Sequence, residues 1–187
     1  FYLDLSKLEP EVKKFLRARA DHMRETVLGE SLGKIEAEGL KPRAITRDLD
    51  WGIPVPVEEP GWETKKLYVW FEAVIGYLSA AIEWSRLQPD PEAWRQWWVN
   101  PEARQFYFIG KDNVFFHTAQ WPAQLMGTGS AFMELFTGEE LPLTLPYDVP
   151  ANQFMNLEAQ KISGSRNWAV WGLDALTRYD PDALRYY

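Results

Sequence analysis

Cysteine is absent from the 187 residues, and histidine occurs only as His22 and His117. Disulfide bonds are therefore excluded, and a zinc site would have to use these two imidazoles together with carboxylates. The sequence also lacks any apolar run close to the roughly 20 residues that a membrane-spanning helix needs. We expect a cytoplasmic protein with no metal site in this chain and no membrane partner.

Positive charge is also scarce. The chain has 20 lysines and arginines against 27 aspartates and glutamates, which gives a formal net charge of −7. Surfaces that bind nucleic acids usually carry clustered lysine and arginine, so any contact with RNA must be local. Lys13, Lys14, Arg17 and Arg19 are candidates, although we favour their interpretation as the solvated face of a helix.

The composition is that of a folded protein, with 46% hydrophobic and 25% charged residues. The length is sufficient for one domain with a substantial core, or for one domain and part of another. The chain begins at Phe1 without a start methionine, and residues 180–184 read as the opening of a further helix. We therefore expect a fragment of a longer protein.

Helical periodicity dominates the first part of the chain. Apolar residues recur at helical spacing over residues 10–28, with Gly29 suited to end the helix, and a shorter helix is predicted to end near Gly39. The segment 43–56 contains turn residues and two prolines, which predicts an ordered loop with little regular structure.

Three runs rich in β-branched or aromatic residues, 67–71, 105–109 and 141–149, are predicted to be strands. The stretches between them are too long for hairpins, which predicts crossover connections and a parallel sheet. Pro142 and Pro146 make the third strand the least regular, since each removes a hydrogen-bond donor from the ladder.

The predicted helices of this region cover residues 72–87, 90–98 and 112–126, the last with a kink at Pro122. The Gly-Thr-Gly-Ser run at 127–130 is interpreted as a flexible connection, because it lacks the further glycine and the preceding strand of a dinucleotide-binding loop. Asn167 is predicted to cap a later helix that carries Trp168 and Trp171.

Two strand-to-helix junctions carry residues suited to bind a ligand. The first offers Trp70, Ala73 and Tyr77, and the second offers Asn113, His117 and Trp121 at four-residue steps. Ligands of parallel α/β sheets bind outside the carboxyl ends of the strands, where both junctions are expected. Core packing remains an alternative, since aromatic stripes and single histidines are common in protein interiors.

Both junctions, within residues 67–77 and 108–123, and the run Lys-Ile-Ser-Gly-Ser at 161–165 resemble the catalytic core of the methionyl-tRNA synthetases. These enzymes are class I aminoacyl-tRNA synthetases. The resemblance implies an α/β fold, namely the second half of a Rossmann-like parallel sheet with flanking helices. It also implies three regions: residues 1–42 as the helical end of a connective insertion, 43–66 as a linking loop, and 67–187 as the half-domain.

The resemblance also implies roles for individual residues. The substrate-binding positions that it implies are Trp70, Ala73, Tyr77, Asn113, His117 and Trp121. A thioether is polarizable and accepts hydrogen bonds only weakly, so a pocket of Trp, Tyr and His suits methionine. Gly110 and Asp112 resemble nucleotide-side residues, where glycine permits close approach and a carboxylate can accept hydrogen bonds. Alternatively, Asp112 caps the helix.

The run at 161–165 resembles the mobile Lys-Met-Ser-Lys-Ser loop of class I synthetases. The resemblance implies catalytic roles for Lys161, Ser163 and Ser165, and contacts of Lys161 and Gly164 with ATP. Gly164 replaces the second lysine of the family, and losing such a donor typically lowers the rate roughly a hundred- to a thousand-fold unless Arg166 substitutes for it.

Other departures from the family are Glu72 in place of aspartate and Ala159 in place of glycine. The His-Ile-Gly-His motif of the first half of the nucleotide site has no match in the chain. The isolated chain is therefore expected to be inactive.

For the longer parent protein, the resemblance implies a ligase that activates methionine with ATP to methionyl-adenylate and transfers it to tRNA. Methionine, ATP and tRNA would be its partners, and Mg²⁺ is expected with ATP. The alternatives are a synthetase for leucine, isoleucine or valine, and a non-catalytic binding module derived from a synthetase. The second alternative is motivated by Gly164 and by the missing first half.

Overall fold

The computed structural model describes residues 1–138 and 142–186. The chain divides into two compact units, Phe1–Asn152 and Gln153–Tyr187. The α-helices are α1 (Glu9–Arg17), α2 (Glu25–Glu38), α3 (Val69–Glu72), α4 (Gly76–Arg86), α5 (Arg95–Trp98), α6 (Trp121–Thr137), α7 (Gly172–Leu176) and α8 (Pro181–Tyr186). The strands are β1 (Tyr2–Leu3), β2 (Arg43–Ala44), β3 (Thr46–Asp48), β4 (Lys65–Leu67), β5 (Ile109–Gly110), β6 (Ala151–Asn152), β7 (Asn156–Leu157) and β8 (Gln160–Lys161).

The helices near the site are interrupted by tighter and wider turns. Leu5–Leu8, Ala73–Ile75 and Lys111–Asn113 form 3₁₀ turns, and Phe116–Gln120 forms a π-helical turn that leads directly into α6. π-helical turns are rare and are frequently found at functional sites.

The predicted parallel pairing is present between β5 and β6, where Ile109 pairs with Ala151 and Gly110 with Asn152. This ladder lies later in the chain than the strands predicted at 105–109 and 141–149. Within the predicted ranges, Phe106 and Asp148 form an isolated parallel bridge. Pro150, which precedes β6, accepts from the backbone N–H of Ile109 at 3.1 Å, but it has no N–H of its own to extend the ladder. Leu141, which starts the third predicted strand, lies outside the described residues.

The predicted strand at 67–71 is wrong. The strand is β4, which pairs antiparallel with β3, and the chain turns helical at Val69. The predicted loop at 43–56 is therefore also wrong, because β2 and β3 lie within it. Most residues of this ladder are charged, so the sequence lacks the apolar alternation that predicts a strand. An ion pair between Lys65 Nζ and Asp48 Oδ2 (2.7 Å) spans the ladder.

The single helix predicted over residues 10–28 is two helices, and Gly29 lies inside α2. Contacts with residues far along the chain accompany the break. His22 stacks on Tyr147 with ring centroids 4.1 Å apart, and Arg19 Nε donates to the Pro146 carbonyl at 2.6 Å. The predicted end at Gly39 is confirmed, with a φ of 67°.

The core of the first unit lies among α1, α2 and the helical segment that contains the π turn. Its fully buried apolar side chains include Leu16, Ile35 and Val114. Inside it, Ser31 Oγ and Thr118 Oγ1 are 2.8 Å apart and form a buried hydrogen bond between α2 and the π turn. This core holds the helical segment that carries His117.

Two further predictions for the first unit are wrong. Residues 127–130 continue α6 and do not form a flexible connection. The single helix predicted over 112–126 is divided into 3₁₀, π and α segments, and Pro122 lies in the first turn of the α segment, α6. Residues 90–98 become regular only at α5.

The second unit begins with a hairpin of β7 and β8. Its two turn residues, Glu158 and Ala159, have φ values of 49° and 63°, as in a type I′ turn. Asn167 does not cap a helix: its φ is 52°, and α7 begins only after Trp171.

The three regions predicted at 1–42, 43–66 and 67–187 remain a prediction. Among the residues that the structure describes, none of the helices combines the length and the apolar character needed to cross a membrane.

Candidate active site

An aromatic cluster brings together three of the six predicted pocket residues. The Tyr77 ring on α4 lies 5.7 Å from the His117 ring and 6.5 Å from the Trp121 ring, measured between centroids. His117 and Trp121 are buried, whereas Tyr77 remains 42% exposed. The cluster therefore has a buried floor and an accessible tyrosine.

The hydrogen bonds of His117 determine its tautomer. Nδ1 lies 2.9 Å from the Asn113 carbonyl, and Nε2 lies 2.8 Å from the Tyr77 hydroxyl. A carbonyl oxygen can only accept, so Nδ1 carries the proton and donates. In the neutral imidazole Nε2 then accepts from the Tyr77 hydroxyl.

The surroundings of these groups favour their neutral forms. Burial lowers the pKa of His117, and the hydrogen bond to the Asn113 carbonyl opposes this change in part. Burial also raises the pKa of Tyr77. At neutral pH the cluster therefore presents an uncharged imidazole and an uncharged phenol, which excludes a strong electrostatic preference for a charged substrate side chain.

Tyr107 completes the cluster and was not predicted from the sequence. Its ring lies 5.0 Å from that of Tyr77 in an edge-to-face arrangement. Trp121 Nε1 donates to the Tyr107 hydroxyl at 3.1 Å, and this hydroxyl donates to Gln105 Oε1 at 2.7 Å. Burial raises the pKa of Tyr107 to about 12. Tyr107 and Ile109 are two residues apart in the predicted strand 105–109 and therefore share one face of it, which was the available signal for an inward position of Tyr107.

Trp70 lies in the first turn of α3, and not at the end of a strand as predicted. Its ring is 44% exposed and stacks on Phe116 with centroids 5.1 Å apart. Gln120 Nε2 donates to the Trp70 carbonyl at 2.7 Å, and Gln124 Nε2 donates to the Phe71 carbonyl at 3.0 Å. These two glutamines, which sequence reasoning missed, attach α3 to the helical segment of His117.

Ala73 and Asn113 are placed differently from the aromatic residues. Ala73 is exposed on the 3₁₀ turn between α3 and α4, which alters the four-residue spacing to Tyr77 expected for a continuous helix. Asn113 contributes its carbonyl to His117, while its side-chain Nδ2 lies 3.5 Å from Asp112 Oδ1. The side chain of Asn113 thus contacts the nucleotide-side candidate.

Gly110 and Asp112 form the junction after β5. Asp112 does not cap a helix: it lies within the 3₁₀ turn, and Gly110 occupies the N-cap position. A Cβ atom on Gly110 would lie 2.8 Å from Asp112 Oδ1. Glycine therefore lets the Asp112 carboxylate fold back over the end of the strand.

The candidate loop of the second unit is exposed. Lys161 Nζ lies 5.2 Å from the centroid of the Phe154 ring, and Ser163 Oγ and Ser165 Oγ are 3.2 Å apart. Arg166 Nη2 donates to the Lys161 carbonyl at 3.2 Å. Arg166 therefore contacts the backbone of the loop in which it was considered as a substitute for the missing lysine.

Gly164 itself has room for a side chain. A Cβ atom there would lie 3.6 Å from the Trp171 ring, which is an ordinary contact distance, and Gly164 is not among the glycines with positive φ. Neither backbone strain nor a clash explains why this position is glycine. Among the described residues, no group of three or more His, Asp or Glu side chains could hold a metal ion.

The family follows from comparison with known proteins. The model of the class I tRNA synthetases (M) matches residues 1–187. The chain belongs to this family. The resemblance inferred from the sequence is thereby confirmed, and so is the mixed α/β fold class, of which the described residues show one parallel strand pair.

Relatives within the class I tRNA synthetases are methionine–tRNA ligases. The chain is 49% identical over 193 residues to that of Roseiflexus castenholzii and 51% identical over 187 residues to that of Thermomicrobium roseum. It aligns over 100% of its own length and spans about 30% of theirs. A Mycobacterium tuberculosis methionyl-tRNA synthetase bound by methionyl-adenylate superposes with a TM-score of 0.73 at 26% identity, over 99% of this chain and 32% of that one.

Proposed function

We propose that this chain supplies the amino-acid pocket and part of the nucleotide site of a methionine–tRNA ligase. The observation that carries the proposal is the hydrogen-bonded pair of Tyr77 and neutral His117 above buried Trp121. It is supported by relatives that are methionine–tRNA ligases at about 50% identity. The parent protein activates methionine with ATP and transfers it to tRNA, and we place this activity in the cytoplasm.

The pocket chemistry suits a thioether. Sulfur is polarizable and makes favourable contacts with aromatic rings about 5 Å away. The Tyr77 hydroxyl can turn from His117 Nε2 to donate weakly to the sulfur, because the hydroxyl proton rotates freely. Trp70, which stacks on Phe116, and Ala73 are both exposed, and we assign them to the methionine side on the basis of the family resemblance.

In the first unit we assign Gly110 and Asp112, at the junction after β5, to the nucleotide side. In the second unit, taken by itself, we assign Lys161, Ser163 and Ser165 to ATP on the basis of the family resemblance. A carboxylate oxygen of methionine attacks the α-phosphorus of ATP, and pyrophosphate leaves. Negative charge develops on the phosphate oxygens, where Lys161 stabilises it electrostatically. Mg²⁺ enters with ATP and is held mainly by the phosphates, which is how this ion usually binds at nucleotide sites.

The test uses two proteins: the 187-residue chain, and a chimera in which it replaces the matched segment of the Thermomicrobium roseum methionine–tRNA ligase. Methionine-dependent exchange between ATP and pyrophosphate is expected in the chimera and not in the chain alone. Tyr77→Ala in the chimera should raise KM for methionine roughly ten-fold. Trp84→Ala, which removes an exposed aromatic of the same helix, is the matched control and should leave KM unchanged.

Two other outcomes would replace the proposal. Exchange that depends on leucine, isoleucine or valine in preference to methionine would assign the pocket to a different class I synthetase. A chimera that binds methionine without any exchange would favour a non-catalytic binding module, a candidate that the glycine at position 164 motivates.

A further inference from the structure

The short helix α3 needs contacts from other elements to keep its place beside the pocket. It has four residues, Val69–Glu72, whereas an isolated helix is marginal in water even at roughly 12 residues. None of its side chains is buried, so little apolar burial holds it. It nevertheless carries Trp70 and leads through one 3₁₀ turn into α4, whose second residue is Tyr77. The position of Tyr77 therefore depends in part on what holds α3.

Two buried glutamines hold the backbone of α3. Gln120 Nε2 donates to the Trp70 carbonyl at 2.7 Å, and Gln124 Nε2 donates to the Phe71 carbonyl at 3.0 Å. The glutamines are 4% and 5% exposed and lie four residues apart, on the helical segment that carries Trp121. This segment forms the buried floor of the pocket. The two hydrogen bonds therefore fix successive residues of α3 relative to that floor.

Packing alone does not explain the glutamine at position 124. Its Oε1 is buried, and it has no hydrogen-bond partner among the described residues. A buried acceptor without a donor destabilises the folded protein, whereas a methionine fills a similar volume and has no such oxygen. The contact that a methionine could not make is the one from Gln124 Nε2 to the Phe71 carbonyl. The amide at this position therefore serves α3.

We propose that Gln120 and Gln124 are positioning residues, which hold α3 so that Tyr77 meets His117 before methionine binds. The Tyr77 hydroxyl and His117 Nε2 are 2.8 Å apart, and a shift of about 1 Å carried from α3 to Tyr77 would break this hydrogen bond. A pocket that is ordered in advance loses less conformational freedom when its ligand arrives, and so binds it more tightly. The inference rests on the proposed function, and it requires neither glutamine to contact the ligand.

The experiment measures methionine-dependent exchange between ATP and pyrophosphate in the chimera that carries Gln120→Met or Gln124→Met. Each substitution keeps a similar side-chain volume and removes the amide donor. KM for methionine should rise roughly two- to ten-fold, the range expected for one hydrogen bond, while kcat stays unchanged. The midpoint of thermal unfolding of the 187-residue chain should not fall, because releasing α3 exposes no buried side chain. A fall in the midpoint with an unchanged KM would show a structural role and overturn the inference.

Matched controls separate the loss of an amide donor from a general loss of stability. Gln96→Met removes an exposed amide on α5 and should change neither KM nor the unfolding midpoint. Ser85→Ala removes a buried hydroxyl that donates to the Pro91 carbonyl at 2.7 Å, so it should lower the midpoint and leave KM unchanged. Gln124→Asn keeps an amide that is one methylene too short to reach Phe71, and it should raise KM even if the methionine variant fails to fold. A rise in KM for Ser85→Ala as large as that for the glutamine variants would overturn the inference.

Nitrogen-15 NMR of His117 in the 187-residue chain keeps this inference apart from the proposed function. In the glutamine variants the Nε2 resonance should move from its wild-type position, because the hydrogen bond from Tyr77 weakens, and in Gln96→Met and Ser85→Ala it should not move. If the resonance moves but the unsubstituted chimera shows no methionine-dependent exchange, the proposed function is refuted and the positioning of Tyr77 stands. Exchange in the chimera, together with an unmoved Nε2 resonance and an unchanged KM in the glutamine variants, would overturn this inference alone.

Discussion

Replacing Tyr107 by phenylalanine should destabilise the first unit, because it removes the hydroxyl that accepts from Trp121. The Trp121 side chain is 2% exposed, so its indole N–H cannot turn to water. A buried donor left without an acceptor costs roughly 1–3 kcal/mol. We expect a loss of about 2 kcal/mol in the free energy of unfolding, which corresponds to roughly 4–8 °C in Tm for a protein of this size.

The same substitution should change the alkaline limb of the stability profile. The pKa of Tyr107 is raised to about 12 in the folded protein, against about 10 in an unfolded chain. Between these values the folded state binds more protons than the unfolded state, so stability falls as the pH rises. The contribution is complete below pH 10, and roughly 3 kcal/mol of it is lost as the pH passes through 12.

The assay is urea unfolding followed by circular dichroism at pH 7 and at intervals between pH 9 and 11.5. Tyr107→Phe should lower the midpoint at pH 7 and should lose part of the stability decline above pH 10. Tyr2→Phe, at an exposed tyrosine, is the matched control and should behave as the wild type. Unchanged stability of the Tyr107 variant at pH 7, or an alkaline decline as steep as that of the wild type, would refute the reasoning.

Three further predictions concern the site and the second unit. His117 should titrate by NMR with a pKa below the ordinary value of about 6.5, so the free energy of unfolding should fall as the pH drops below about 6.5. A His117→Gln variant should lose this pH dependence, and a measured pKa above about 6.5 would contradict the prediction. Gly164→Lys should raise the adenylation rate of the chimera by up to roughly a hundred-fold and leave methionine affinity unchanged, since position 164 has room for a side chain. An unchanged rate would indicate that another group already stabilises the phosphates. Ala159→Gly should stabilise the hairpin of β7 and β8 by about 0.5–1 kcal/mol and so slow its amide hydrogen exchange, because alanine at a φ of 63° is strained. Glu158→Gly tests the other turn position. Faster exchange in both variants would refute the assigned turn.

Spacing along the chain predicted three of the residues that converge, but it missed Tyr107. Tyr77, His117 and Trp121 lie in one cluster, as their positions in two separate helical segments suggested. Spacing could not predict the π turn at Phe116–Gln120, because a one-residue change in helical register leaves no pattern in composition. It therefore also missed Gln120, whose amide reaches the Trp70 carbonyl.

The strands were predicted less well than the helices. β3 and β4 carry charged residues that pair across the ladder, so they lack the apolar alternation by which strands are recognised. The break between α1 and α2 likewise coincides with contacts of Arg19 and His22 to residues more than 120 positions away. Such contacts do not appear in local propensity.

The sequence by itself determined the family resemblance and predicted that the chain contains parallel strands, because these depend on motifs and on local periodicity. Only the tertiary structure decided the tautomer of His117 and the hydrogen-bonded role of Tyr107. Each of these properties depends on distances between residues far apart in the chain. Burial and pairing, which set the pKa of an imidazole or the charge of a surface, exist only once the chain has folded.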